Sequence, residues 1–213
     1  MKTEDLIAQL AADPAPAPAS TLERRVMVGL AGGLLVTAAA FFWVLGPRPD
    51  LVQYLAQPVI LAKTVLPLVL GLLALVLALR AARPAVAPGW AGRAIWAVPI
   101  AAAALWLWAF AVTPPEARMA GFLGHSIRVC LPAVVLLSLP ISAGLITALS
   151  KGAPTRPRLG GALAGLAAGG IACAIYSTFC VEDTPMFYAA WYSLGICLAA
   201  GTGALAGPRF LRW

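Results

Sequence analysis

Six runs of about twenty mostly apolar residues, each long enough to cross a hydrocarbon layer, leave this chain few possible folds. They lie at roughly 26–46, 59–80, 93–113, 127–149, 159–180 and 188–207. The expected fold is therefore an all-α integral membrane protein with six transmembrane helices. Composition agrees: 62% of the 213 residues are hydrophobic and 11% are charged, against about a quarter charged in a soluble domain. The formal charge of +7 would suit nucleic acid, but its distribution does not. The Arg and Lys residues sit in short clusters between the apolar runs, and no basic helix with interleaved aromatics follows a phosphate backbone. No direct nucleic-acid partner is expected. A polar leader with Glu4, Asp5, Asp13 and Glu23 precedes the first apolar run, so no cleavable signal is read and the first helix is expected to stay in the protein.

The clusters set orientation. Lys2, Arg24 and Arg25 precede the first span. Arg80, Arg83 and Arg93 follow the second, Lys151, Arg156 and Arg158 the fourth, and Arg209 and Arg212 the sixth. The alternate connections hold Arg48, Arg118 and, between the fifth and sixth spans, no basic residue. The positive-inside rule then places both termini in the cytoplasm, and an even number of spans satisfies that topology. Lys63 and Arg128 lie near span ends, where their heads can snorkel to the interface. Phe41, Phe42, Trp43, Trp106, Trp108, Phe187, Tyr188, Trp191 and Tyr192 at outer ends, with Trp90 and Trp213 at inner ends, read as interfacial aromatic belts.

Small residues recur every fourth position at Gly161, Gly165 and Gly169, at Gly29 and Gly33, and at Gly203 and Gly207. Such stripes let helices approach closely in lipid. Packing within the chain is the plain reading, and a homodimer through the fifth helix the secondary one. Pro67, Pro99, Pro132 and Pro140 fall within spans and are expected to kink them.

The chain thus divides into a cytoplasmic segment, 1–25, and a six-helix domain, 26–213. Within the segment, residues 3–12 read as a short amphipathic helix. Thr3 can cap it, and Glu4 and Asp5 occupy the first turn, where the helix dipole favours acids. Leu6, Ile7 and Leu10 share a face. Its acidic start fits poorly on an anionic leaflet, and three turns are too few to be stable alone. Pro14-Ala15-Pro16-Ala17-Pro18 favours an extended spacer of about 15 Å. A helix on a stiff spacer above a membrane anchor reads as a protein-docking module.

Topology puts Cys130 and Cys180 near the outer face, where they can meet. Cys173 lies seven residues before Cys180 and about 10 Å deeper, and Cys197 near mid-membrane; both read as small packing residues. His125, Glu182 and Asp183 surround the outer pair. Thiolate, imidazole and carboxylate together can bind a soft or borderline metal ion. An oxidising compartment would equally suit a Cys130–Cys180 disulfide. No CxxC or HExxH pattern is present, and the polar residues also read as ordinary loop polars.

Four segments carry a resemblance: Met1-Lys2-Thr3-Glu4-Asp5-Leu6-Ile7; Gly124-His125-Ser126-Ile127-Arg128-Val129-Cys130; Cys180-Val181-Glu182-Asp183 with Trp191-Tyr192-Ser193-Leu194-Gly195-Ile196; and Gly207-Pro208-Arg209-Phe210-Leu211-Arg212-Trp213. Together they resemble the negative regulator of sigma-F family, the NrsF-type membrane anti-sigma factors. The resemblance implies a six-helix protein of the bacterial inner membrane that holds an extracytoplasmic-function sigma factor inactive. It implies that residues 1–25 make the contact, here through Glu4, Asp5, Leu6, Ile7 and Leu10. It also implies that Cys130 and Cys180 take part in a response to metal or oxidative stress. The family often carries His before the second cysteine and Pro after it. Phe179 and Val181 stand here instead, which shifts weight toward thiol chemistry. No cofactor is required, and a heavy-metal ion enters only as a signal. The rival reading is a small membrane thiol oxidoreductase or transporter. Against it stand the missing CxxC and the absence of a recognisable ionisable pair at mid-membrane.

Overall fold

The computed structural model describes residues 2–12, 19–84 and 86–212 and is helical throughout, with no strand among them. The 14–18 spacer and Trp213 lie outside the described residues, as do the side chains of Leu6 and Leu10. The leader is α1, Thr3–Ala11; Thr3 is its first residue, and Lys2 holds the cap position without a side-chain cap. Six spans follow. Helix α2 (Ala19–Val44) is joined to α4 (Pro58–Ala81) through the short α3 (Leu51–Leu55). The third span is broken into α5 (Gly89–Ala94) and α6 (Ala97–Val112). The short α7 (Pro115–Leu123) leads into α8 (Ile127–Leu149), and α9 (Pro157–Ser177) and α10 (Pro185–Phe210) complete the bundle. Each of the six spans is long and apolar enough to cross a membrane.

The spans alternate in direction. At the leader end, Ala153 N–H bonds Ala82 O, and Arg83 pairs with Glu23 at 2.7 Å. At the opposite end, the connection after α2 meets the connection after α9, where Arg48 N–H bonds Thr178 O. The basic residues at 24–25, 80–93, 151–158 and 209–212 therefore gather at the leader end.

Helix α9 is the centre, packed by α4, α8 and α10. Its small residues make that possible. A Cβ on Gly161 would meet the Gly203 carbonyl oxygen, and one on Gly170 the Pro67 carbonyl oxygen, so α10 and α4 press on opposite sides of one helix. The 161–165–169 stripe is thus used inside the chain, as its spacing suggests. Helix α2 packs on α8 in the same way, with Gly29 against Gly144, and Thr37 Oγ1 donates across that interface to Leu137 O at 2.9 Å. Branched side chains of α8, among them Val134, Ile141 and Leu145, fill the core. Helix α6 lies at the periphery against α10 and α4, with Ile100, Leu107 and Trp108 exposed as lipid-facing residues are.

Two expectations about span ends change. Phe42, Trp43, Trp90 and Trp108 are exposed as an interfacial belt requires, but Phe41, Phe187, Tyr188 and Tyr192 are buried. The first turns of α10 are enclosed by α8 and α9, so their rings pack inward rather than toward the interface. Lys63 does not snorkel; only 2% of it is exposed.

Candidate functional site

The site is built on the connection from α9 to α10, residues 178–184, at the end of the bundle opposite the leader. Cys180 lies three residues past Ser177, so it is in this connection and not on the fifth spanning helix. Its carbonyl oxygen accepts from Lys63 Nζ at 2.6 Å and from an Arg48 guanidinium nitrogen at 3.2 Å. Asp183 receives the same two cations, Lys63 at 2.7 Å and Arg48 at 3.1 Å. Lys63 also donates to Glu182 O at 3.2 Å. Each cation is desolvated, and each is satisfied by a carboxylate and a carbonyl, which is what a buried charge requires. Arg48 is held further by Asp50, Nε to Oδ1 at 2.8 Å. Burial works against the Arg48 charge, yet its bonds to Asp50 and Asp183 hold its pKa above the ordinary value. The Arg48 hydrogen bond in turn holds the Asp50 carboxyl below its ordinary value.

Glu182 points elsewhere. Its Oε1 accepts from the His125 backbone N–H at 2.6 Å and from Ser126 Oγ at 3.2 Å, anchoring the start of α8. A carboxylate there also faces the positive end of the helix dipole. The turn before α8 depends on Gly124, whose φ of +53° suits glycine and whose missing Cβ leaves room for Phe187 and the Glu182 carboxylate. The His125 imidazole stands 98% exposed, with Nδ1 3.8 Å from Glu182 Oε1. Adjacent acids therefore hold different helices: Glu182 the start of α8, Asp183 the cations of α4 and of the loop after α2. Among the described residues, no three His, Cys, Asp or Glu side chains gather as a metal-holding group.

Beneath the connection lie the thiols. All four cysteines are free; Cys130, Cys173 and Cys180 are buried and Cys197 is exposed. The Tyr176 hydroxyl is buried near Cys130 and Cys180, and the Tyr192 hydroxyl near Cys180, yet neither hydroxyl makes a hydrogen bond among the described residues. Cys130 and Cys180 are both buried in one electrostatic neighbourhood, with Tyr176 close to each. Cys173 joins their electrostatic neighbourhood from below. Cys197 is not a core packing residue. It lines an apolar cavity of about 430 Å³ between α4, α6 and α10, together with Pro67, Trp96 and Tyr188.

Sequence reasoning missed Lys63, Arg48, Tyr176 and Tyr192 as members of this site. The available signal was a lone lysine in the most apolar span, set against two adjacent acids with no basic residue beside them in the same connection. A buried cation needs a carboxylate, and those acids lie at the same predicted end.

The leader residues stand apart from all of this, with Glu4, Asp5 and Ile7 exposed on α1.

A family profile described as negative regulator of sigma F matches residues 10–213. The chain is 37% identical over 222 positions to the anti-sigma-F factor NrsF of Caulobacter vibrioides, covering all of both chains. It is 33% identical over 218 positions to the probable anti-sigma-F factor NrsF of Azospira oryzae, again over the full length of both. No solved structure matches.

Proposed function

The chain belongs to the negative regulator of sigma F family, whose curated relatives are named as anti-sigma factors and not as enzymes, and from that premise we propose that it sequesters an extracytoplasmic-function sigma factor at the bacterial inner membrane. The contact is the N-terminal segment 1–25, in the cytoplasm together with the C-terminus. Leu6, Ile7 and Leu10 enter an apolar groove on the sigma factor, and Glu4 and Asp5 pair with basic residues at its rim. While held, the sigma factor is kept from polymerase. The stimulus is chemistry at the Cys130 and Cys180 thiols, by an oxidant or a heavy-metal ion, with His125, Glu182 and Asp183 around them. No bound cofactor is needed.

One observation carries the docking half of this reading. Helix α1 has an acidic first turn and an apolar Ile7 that is 60% exposed. A nine-residue helix gains little stability by itself, and an apolar face on it is useful only against a partner. For the sensing half, the support is the burial of Cys130 and Cys180 around the Tyr176 hydroxyl at the end of the bundle away from the leader.

The test is a membrane pull-down of the sigma factor with the intact protein and with Leu6→Asp plus Leu10→Asp. The intact protein should retain the sigma factor and the double variant should not. Retention by both would remove the leader as the contact. Retention by neither would remove the anti-sigma reading.

A further inference from the structure

We propose that the Arg48–Asp183–Lys63 clamp couples the Cys180 thiol to α2, and through α2 to the leader; this deepens the sensing reading above and rests on it. The sulfur and the carbonyl of Cys180 belong to one residue but face different partners. The side chain of Cys180 belongs to the buried cluster that holds Tyr176 and Tyr192. The carbonyl holds Lys63 of α4 and Arg48 of the loop after α2. Cys180 is 1% exposed, so a group added to its sulfur has no free space to enter and must displace the residue. Hydrogen bonds weaken steeply once distance and angle are lost. Neither cation has water at hand as a substitute, with Lys63 2% and Arg48 8% exposed. Displacing the carbonyl therefore forces both cations to move.

Arg48 passes that motion to α2. Its backbone N–H bonds Thr178 O at 3.0 Å, and its guanidinium bonds both Cys180 O and Asp183. The loop after α2 is thus strapped at three points to the segment that contains the thiol. Helix α2 ends at Val44, four residues before Arg48, and runs back unbroken to Ala19, where the leader segment joins it. It holds no proline, whereas α4, α8 and α10 each do. A helix of this length spans about 39 Å as one stiff rod. Its contact with α8 is backbone against backbone at Gly29 and Gly33, and the Thr37 hydrogen bond to Leu137 O is the polar contact that a shift of α2 along α8 must break.

The experiment uses the full chain in vesicles with its sigma factor bound. N-ethylmaleimide labelling is followed at each cysteine by mass spectrometry, and sigma-factor retention is measured in parallel. In the unmodified protein, release should follow labelling of Cys180. Lys63→Met and Arg48→Met should each label Cys180 about tenfold faster, as expected where local opening controls access. Both should release the sigma factor before any label is added. Lys63→Arg, which keeps the charge and donors, should restore retention. Asp183→Asn, which leaves both bonds to the Cys180 carbonyl in place, should lie between; it also serves if the methionine variants do not accumulate. A matching acceleration at the deeper Cys173 would indicate general loosening and overturn the proposal. So would faster Cys180 labelling with the sigma factor still bound, which leaves the anti-sigma reading intact. If the unmodified protein retains no sigma factor, the anti-sigma reading fails. The clamp then stands or falls on Cys180 labelling alone, and unchanged rates in the variants overturn it.

Discussion

Lys63 Nζ lies 2.6 Å from the carbonyl oxygen of Cys180, across 117 residues of sequence. The ammonium is completed by Asp183 at 2.7 Å, so one cation binds the fourth helix to the connection between the last two. Because Lys63 is almost wholly enclosed, its charge is stabilised by these partners and the Glu182 carbonyl rather than by bulk water. The arrangement makes the connection from α9 to α10 the hub of this end of the bundle: the second helix, the fourth and the eighth are all tied to it.

Removing the lysine charge leaves Asp183 facing Arg48 alone and strips the Cys180 carbonyl of its shorter bond. Breaking a buried pair from one side costs about 3–5 kcal/mol. Lys63→Met should therefore lower the thermal midpoint of the detergent-solubilised protein by several degrees, with Lys63→Arg closer to the parent. A midpoint unchanged in Lys63→Met would mean that water replaces the lysine at this position.

Glu182 makes a separate prediction, because it serves the start of α8. Its carboxylate accepts from the His125 N–H and the Ser126 hydroxyl, and hydrogen bonds to a charged group contribute about 1.5–3 kcal/mol. Glu182→Ala should speed hydrogen exchange at the amides of residues 125–130 and leave those within α4 unchanged. Equal acceleration in α4 would show that the two adjacent acids form one unit rather than two separate anchors.

How much of this was legible beforehand depends on the range of the interaction. The six spans are local features, and the apolar runs locate each to within a few residues at most ends. The Gly161 stripe is also local, and its packing role follows from its spacing. The clamp is not local. Lys63 and Asp183 are 120 residues apart, and a lone lysine near a span end looks the same whether it snorkels or turns inward. Tyr188 and Tyr192 are ambiguous for a similar reason, since an aromatic near a helix end suits both an interface and an enclosed end. Tyr188 is resolved only by its partner, the Val59 carbonyl, to which its hydroxyl donates at 2.8 Å. The break at 95–96 in the third span left no trace that hydropathy could register, because Ile95 and Trp96 are themselves apolar.

The glycine interfaces predict opposite outcomes for the same substitution. At Gly161 an added Cβ meets the Gly203 carbonyl oxygen, while at Gly201 on the same α10 as Gly203 it meets nothing within 4 Å. Gly161→Ala should force the α9–α10 pair apart, and overpacking of this kind costs about 1–3 kcal/mol. Gly201→Ala should be neutral or stabilising by up to about 1 kcal/mol, because alanine is the better helix former. Thermal midpoints of the two variants measured side by side decide the matter. Equal effects would mean that the α9–α10 contact is looser than the described packing.

On the proposed docking, the acidic first turn of α1 should separate rate from grip in sigma-factor binding. Glu4 and Asp5 are exposed, so at a partner's rim they would steer encounter more than they hold the complex. Neutralising both, Glu4→Gln with Asp5→Asn, should slow association several-fold and flatten its dependence on salt, which screens exposed charges beyond about 8–10 Å. Dissociation should change little, because the proposed apolar contacts at Leu6, Ile7 and Leu10 would remain. Ile7→Asp should do the reverse, shortening the lifetime of the complex while association keeps its salt dependence. Both can be read by surface-based kinetics with the full chain held in nanodiscs and the sigma factor as analyte. If the neutralised pair instead shortens the lifetime and leaves association unchanged, the two acids are enclosed within the contact, and the leader binds by its acidic turn rather than by its apolar face.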